Sequence, residues 1–226
     1  MLKAVVFDFD GIIVDSEPLH YRAFQKVLEP LDAGYSWEEY TERYMGFDDR
    51  DAFREAFRSK QLPLDDERLA GLINAKAELF HEVAAEGVVA YPGVVELIRS
   101  LSGAVPLAIC SGALRSDIVP VLGMLGLEDA FDCMVTAEEV AASKPDPASY
   151  RLAVQRLQQI FPDAAITPAE TVAIEDTPAG ITSAKGAGLK ALSVTNSYPA
   201  AELASADSIV SSLDGISSRE LARLTE

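Results

Sequence analysis

The sequence is short of basic residues: 19 Lys and Arg stand against 36 Asp and Glu in 226 residues, a formal charge of −17. So acidic a surface repels DNA, RNA and anionic membranes, which sets aside nucleic-acid binding and polybasic anchoring. It repels phosphorylated small molecules as well, so any such substrate needs a local cation to hold it. Long apolar runs are missing too. None approaches the roughly 20 residues that span a bilayer. The apolar start MLKAVVF runs into Asp8 and Asp10, which denies it the role of a signal-peptide core. Cysteine is scarce: Cys110 and Cys133 each fall in an apolar run that reads as a strand, and both are expected as reduced, buried thiols. No internal repeat or low-complexity segment occurs. These absences fit a cytoplasmic protein. A composition that is 49% hydrophobic suffices for one large core with a smaller lobe.

What is present is a rhythm of strand and helix. Residues 2–10 form a continuous apolar run, the pattern of a strand covered on both faces. Similar runs recur at 105–111, 131–136, 171–176, 190–195 and 207–212, with helical stretches between them. The alternation predicts an α/β fold with a doubly wound, Rossmann-like parallel sheet, whose ligands sit at the carboxyl ends of the strands. Residues 15–87 lack any strand-like run. There Ser16 can cap a helix in which Leu19, Ala23, Phe24, Val27 and Leu28 recur at helical spacing. Ser36 and Glu39 form a capping-box pattern, and two further amphipathic stretches follow. The expected organisation is an α/β core of residues 1–14 and 88–226, with an all-helical cap, 15–87, inserted after the first strand.

Chemistry-bearing residues gather at the predicted strand ends. Asp8 and Asp10 stand two apart, so on a strand they point the same way, and Gly11 lets the backbone turn sharply after them. Two close carboxylates repel unless a proton or a cation sits between them. They can serve as a nucleophile with an acid/base partner, as a metal site, as both, or simply as strand-end caps. ICSGA ends the second run with the Ser111 hydroxyl and the amides around Gly112, which form either an anion cradle or an ordinary turn. SKPDP places Lys144 in a loop before a helix, where a lysine is commonly just solvated. AIEDTPAG sets Glu175 and Asp176 at the end of another buried strand, where adjacent acids call for a cation. As a set, the four segments supply what phosphoryl transfer demands: a nucleophile, a site for Mg²⁺, and donors for the phosphoryl oxygens.

DFDGIIVDS, CSG, SKPDP and IEDTPAGITSAKGAG, in this order, resemble the four motifs of the haloacid dehalogenase-like hydrolase superfamily, and the resemblance covers essentially the whole chain. It implies that Asp8 is a nucleophile converted to an aspartyl phosphate. Asp10 would protonate the leaving oxygen and then activate water. Ser111, Gly112 and Lys144 would hold the phosphoryl group. Mg²⁺ would sit on Asp8, the Asp10 carbonyl and Asp176, with Glu175 close by. The dehalogenating and phosphonate-cleaving members lack an aspartate at the position of Asp10, which argues against both activities.

The resemblance also assigns specificity to the cap. DSEPLHYRAF and AKAELF look like the cap of β-phosphoglucomutases, which makes His20, Arg50 and Lys76 candidate substrate contacts. Equally, His20 could line a groove while Arg50 and Lys76 form ion pairs on acidic helices. In those mutases a basic residue precedes the cap-loop glycine, whereas here Met45 precedes Gly46. A mutase must grip a second phosphate, so the missing cation favours a hydrolase. The expectation is a Mg²⁺-dependent phosphatase of small phosphorylated metabolites, of sugar-phosphate or phosphoglycolate type, acting as a monomer or weak dimer. A β-phosphoglucomutase-like mutase and a non-catalytic sugar-phosphate-binding protein are the alternatives.

Overall fold

The first strand, β1 (Ala4–Phe7), is buried along its whole length. It is joined by β2 (Leu107–Cys110), β3 (Cys133–Val135), β4 (Thr171–Glu175), β5 (Lys190–Val194) and β6 (Ser208–Val210). The structure is a computed structural model that describes every residue except Gly46 and Asp48; the cap-loop glycine singled out above lies outside the described residues. Among the described residues the six strands make one sheet in the order β3-β2-β1-β4-β5-β6, with every neighbouring pair parallel. The chain starts at the centre, walks outward through β2 and β3, and returns to β4 on the other side of β1. The fold is the expected α/β, Rossmann-like sheet. The reversal between β1 and β4 is the topological switch point, where such sheets open a crevice at their carboxyl ends.

The strands are shorter than the apolar runs that announced them. β1 stops at Phe7, so Asp8 and Asp10 lie beyond the strand rather than in it. The Asp8 amide still reaches the Ile174 carbonyl at 3.0 Å, while Asp10 already belongs to a turn bridged to Val14. The shared orientation inferred from strand alternation therefore does not apply. The turn forms because the Phe9 carbonyl gathers the amides of Ile12, Ile13 and Val14, and Gly11 takes φ +77°. Cys110 is buried, but Cys133 is only half-buried, because β3 is an edge strand with a neighbour on one side only; both thiols are free.

The chain divides into two compact units, Met1–Asp15 with Val89–Glu226, and Ser16–Val88. In the first, α5 (Val94–Leu101), α6 (Arg115–Leu125), α7 (Ala148–Ile160), α8 (Pro178–Gly186) and α9 (Ser218–Arg223) accompany the strands, and α6 carries Pro120 within it. Its core joins Val6, Ala108, Cys110 and Ala173 of the sheet to Tyr150, Ala153 and Leu157 of α7. Such burial stabilises by about 1.5–3 kcal/mol per large apolar side chain.

The second unit is helical. It holds α1 (Glu17–Leu28), a single turn α2 (Trp37–Glu39), α3 (Asp49–Ser59) and α4 (Asp66–Ala85). The Ser36 hydroxyl accepts from the Glu39 amide at 3.1 Å, as the capping pattern predicts, but the following Tyr40–Tyr44 widens into a π-helix. There Tyr44 stacks on Tyr35 at 4.0 Å between centroids. Phe24 of α1 meets Phe53 of α3 edge-on at 5.1 Å, and the apolar faces of these helices close a separate core. No helix among the described residues is long and apolar enough to cross a membrane.

Candidate active site

Register brings the strand-end residues together. Phe7 lies opposite Ile174 on β4 and Ile109 on β2, so Asp8 emerges level with Glu175 and Cys110. Lys144 reaches this point from the loop before α7. Its ammonium lies 2.9 Å from Asp8 Oδ1 and 2.6 Å from Glu175 Oε1, and it donates to the Cys110 carbonyl at 3.0 Å. Asp8 Oδ1 also accepts from the Phe9 amide at 2.8 Å. Glu175 is fully buried and takes a second hydrogen bond at Oε1 from the Tyr150 hydroxyl, 2.6 Å away, while Thr177 donates to Oε2 at 3.3 Å. The Lys144 ammonium stands 5.2 Å from the centre of the Tyr150 ring, a cation–π contact inside the core.

Asp8, Glu175 and Asp176 are all buried, and each offers a carboxylate oxygen within 4.8 Å of the others. Three carboxylates against one ammonium leave two negative charges uncompensated, which is the charge of a divalent cation. Crowding these charges shifts the groups that carry them. Burial, and then the charge of Glu175, push the Asp8 carboxyl well above the carboxylate range, with Lys144 pulling the other way. Burial pushes Asp176 up to about 7. Burial alone would lower Lys144, but Asp8 and Glu175 outweigh it and hold the ammonium protonated. Tyr150 is held as a neutral phenol by burial and by Glu175, so it remains a donor. Asp176 Oδ1 is buried with no hydrogen-bond partner, while Oδ2 accepts from Ser197. An orphaned anionic oxygen beside two more carboxylates fits a small hard cation with oxygen ligands, which is the chemistry of Mg²⁺.

Of the other residues singled out from the sequence, Ser111 is buried just past β2, with its amide donating to the Val135 carbonyl and its Oγ accepting from the Ala113 amide at 2.9 Å. Gly112 is exposed, and a side chain there would meet open space. Asp10 is half-buried in the turn after Asp8. His20, Arg50 and Lys76 belong to the helical unit. Lys76 is buried there, 2.9 Å from His20 Nδ1 and 2.7 Å from Asp49 Oδ1, over the rings of Phe24 and Phe80. Arg50 is exposed on α3, and its neighbour Asp49 is the residue that reaches Lys76.

Sequence reasoning missed Tyr150, Asn196, Ser197 and Asp49. Asn196 and Ser197 lie just past the end of β5, as Asp8, Ser111 and Asp176 lie just past β1, β2 and β4, so reading every strand end alike would have found them. Tyr150 carries no such signal, because a tyrosine on a helix most often packs in the core.

Residues 5–194 match the family model described as haloacid dehalogenase-like hydrolase. The phosphorylated carbohydrates phosphatase of Thermotoga maritima is 30% identical over 84% of this chain and 83% of its own. The fructose-1-phosphate phosphatase YqaB of Escherichia coli is 28% identical over 84% of this chain and 95% of its own. Among solved structures, that of CbbY from Rhodobacter sphaeroides in complex with phosphate superposes with a TM-score of 0.84 at 28% identity, covering 98% of this chain and 99% of that one.

Proposed function

The chain belongs to the haloacid dehalogenase-like hydrolases, and from that premise we propose that it hydrolyses small phosphorylated carbohydrates, with Asp8 as nucleophile and Mg²⁺ as cofactor. Relatives named as phosphatases of phosphorylated carbohydrates and of fructose 1-phosphate support both the reaction and the substrate class. The observation that carries the reading is the buried cluster at the switch point: three carboxylates, one lysine, and an orphaned oxygen on Asp176.

Lys144 and the Phe9 amide fix Asp8 by one oxygen, so the carboxylate meets the substrate in one orientation. The Asp8 carboxylate attacks phosphorus, and the bond from phosphorus to the ester oxygen breaks as Asp10 protonates that oxygen. Asp10, now ionised, takes a proton from water. The resulting hydroxide attacks the phosphorus of the aspartyl phosphate, the acyl–phosphate bond breaks, and Asp8 returns with release of phosphate. Lys144 and Ser111 donate to the phosphoryl oxygens as charge develops on them. Held by Asp8, the Asp10 carbonyl and Asp176 with Glu175 nearby, Mg²⁺ would supply the positive charge that keeps Asp8 ionised and offsets the phosphoryl charge. In the helical unit we assign substrate recognition to His20, Arg50 and Lys76. The support is a buried ammonium in an otherwise acidic chain, beside an imidazole held neutral.

Phosphate release from a panel of sugar phosphates and phosphoglycolate tests the reading. Turnover should require Mg²⁺, stop with EDTA, and vanish in Asp8→Asn while the circular dichroism spectrum stays that of the parent. Turnover that survives chelation, or more than a trace in Asp8→Asn, overturns it. Glucose 6-phosphate formed from β-glucose 1-phosphate with a bisphosphate activator would instead establish the mutase.

A further inference from the structure

Asp176 Oδ1 is buried and without a hydrogen-bond partner, and what aims it is legible in the turn after β5. A carboxylate rotates about its last side-chain bond unless something holds one oxygen. Here Ser197 donates to Oδ2 and leaves Oδ1 buried and unpartnered, on a carboxylate that has an oxygen within 4.8 Å of carboxylate oxygens of Asp8 and Glu175. The residue before it, Asn196, donates from Nδ2 to the Gly11 carbonyl at 2.6 Å. That bond ties the same turn to the loop carrying Asp8 and Asp10. Gly11 in turn has to lack a side chain, because a Cβ there would overlap the Asp176 carboxylate. One turn thus grips both strand-end loops from which the acids of the site emerge. Ser197 is itself exposed and packs no core, so its hydroxyl has no structural duty there beyond this bond.

We propose that Ser197 is a positioning residue that orients Asp176 Oδ1 toward the bound metal and thereby sets the affinity for Mg²⁺ rather than the rate of the chemical step. The inference rests on the metal reading above. Hydrogen bonds behind a metal ligand typically account for 10–100-fold in metal affinity. Ser197→Ala should therefore weaken Mg²⁺ binding about tenfold or more by isothermal titration calorimetry on the substrate-free protein. The kcat at saturating Mg²⁺ and the KM for the sugar phosphate should stay near the parent values. Ser197→Thr, which restores the hydroxyl, should bring the affinity back to within about threefold of the parent, well inside the loss expected for alanine. Equal Mg²⁺ affinity in Ser197→Ala and the parent overturns the inference while leaving the metal reading intact. Equal weakening in both variants also overturns it, since the defect would then be one of packing. A parent protein that takes up no Mg²⁺ removes the metal reading and the inference together.

Discussion

At the scale of single residues, the protein buries charge and matches part of it locally. Lys144 is shared between Asp8 and Glu175, and Lys76 between Asp49 and the imidazole of His20. The second arrangement has a measurable consequence. Burial, and then the Lys76 ammonium beside it, lower His20 from 6.5 to about 3, and the ring stacks on Phe80 at 4.4 Å. Between those two pH values the unfolded chain binds a proton that the folded protein refuses. Stability is therefore full above the unfolded value and falls as pH drops below it, by up to about 1.4 kcal/mol per pH unit. His20→Gln should remove this part of the slope: its urea midpoint should fall less between about pH 7 and pH 5 than that of the parent. Parallel losses in the two proteins would place the acid sensitivity elsewhere.

At the scale of elements, the same substitution should act with opposite signs in two helices. Gly71 lies in α4 with open space around it, so Gly71→Ala should gain up to about 1 kcal/mol by removing backbone freedom from the unfolded chain. Gly180 lies in the first turn of α8, where an added Cβ would overlap the Glu175 carboxylate. That carboxylate is held by Lys144, Tyr150 and Thr177, so it cannot step aside without breaking the cluster. Gly180→Ala should lose stability and lower turnover on the order of a hundredfold, the scale of an ångström-sized misplacement. Thermal melts with phosphate release read both; a stabilised, active Gly180→Ala would mean that α8 can withdraw from the site. The helix start itself is secured by Thr177, which accepts from the Gly180 amide at 3.0 Å, and by Pro178 in the first turn.

At the scale of the whole molecule, a charge of −17 surrounds a site that must receive phosphate esters. At about 10 mM salt the Debye length is roughly 30 Å, long enough for the entire surface to act on an approaching anion; at 0.15 M it is about 8 Å, and only the site is felt. Raising NaCl across this range, with Mg²⁺ constant, should increase kcat/KM severalfold. A decrease would show that the local field of Lys144 governs the encounter already at low salt.

Much of this protein is written locally. Apolar runs flanked by helical periodicity mark the α/β sheet, the stretch 15–87 without such a run holds helices, and acids or hydroxyls at the ends of the runs mark the proposed site, because each is a property of a few consecutive residues. Other features exist only through contacts between segments far apart in the chain. The strand order sets Asp8 beside Glu175, α7 brings Tyr150 onto the same carboxylate, and the turn after β5 brings Asn196 and Ser197 against Gly11 and Asp176. Where β1 ends, and how far Cys133 is covered, follow from sheet register and edge position, which no window of sequence contains. Residue type and local spacing determined which chemistry is possible; the packing of distant segments decided which oxygens face one another.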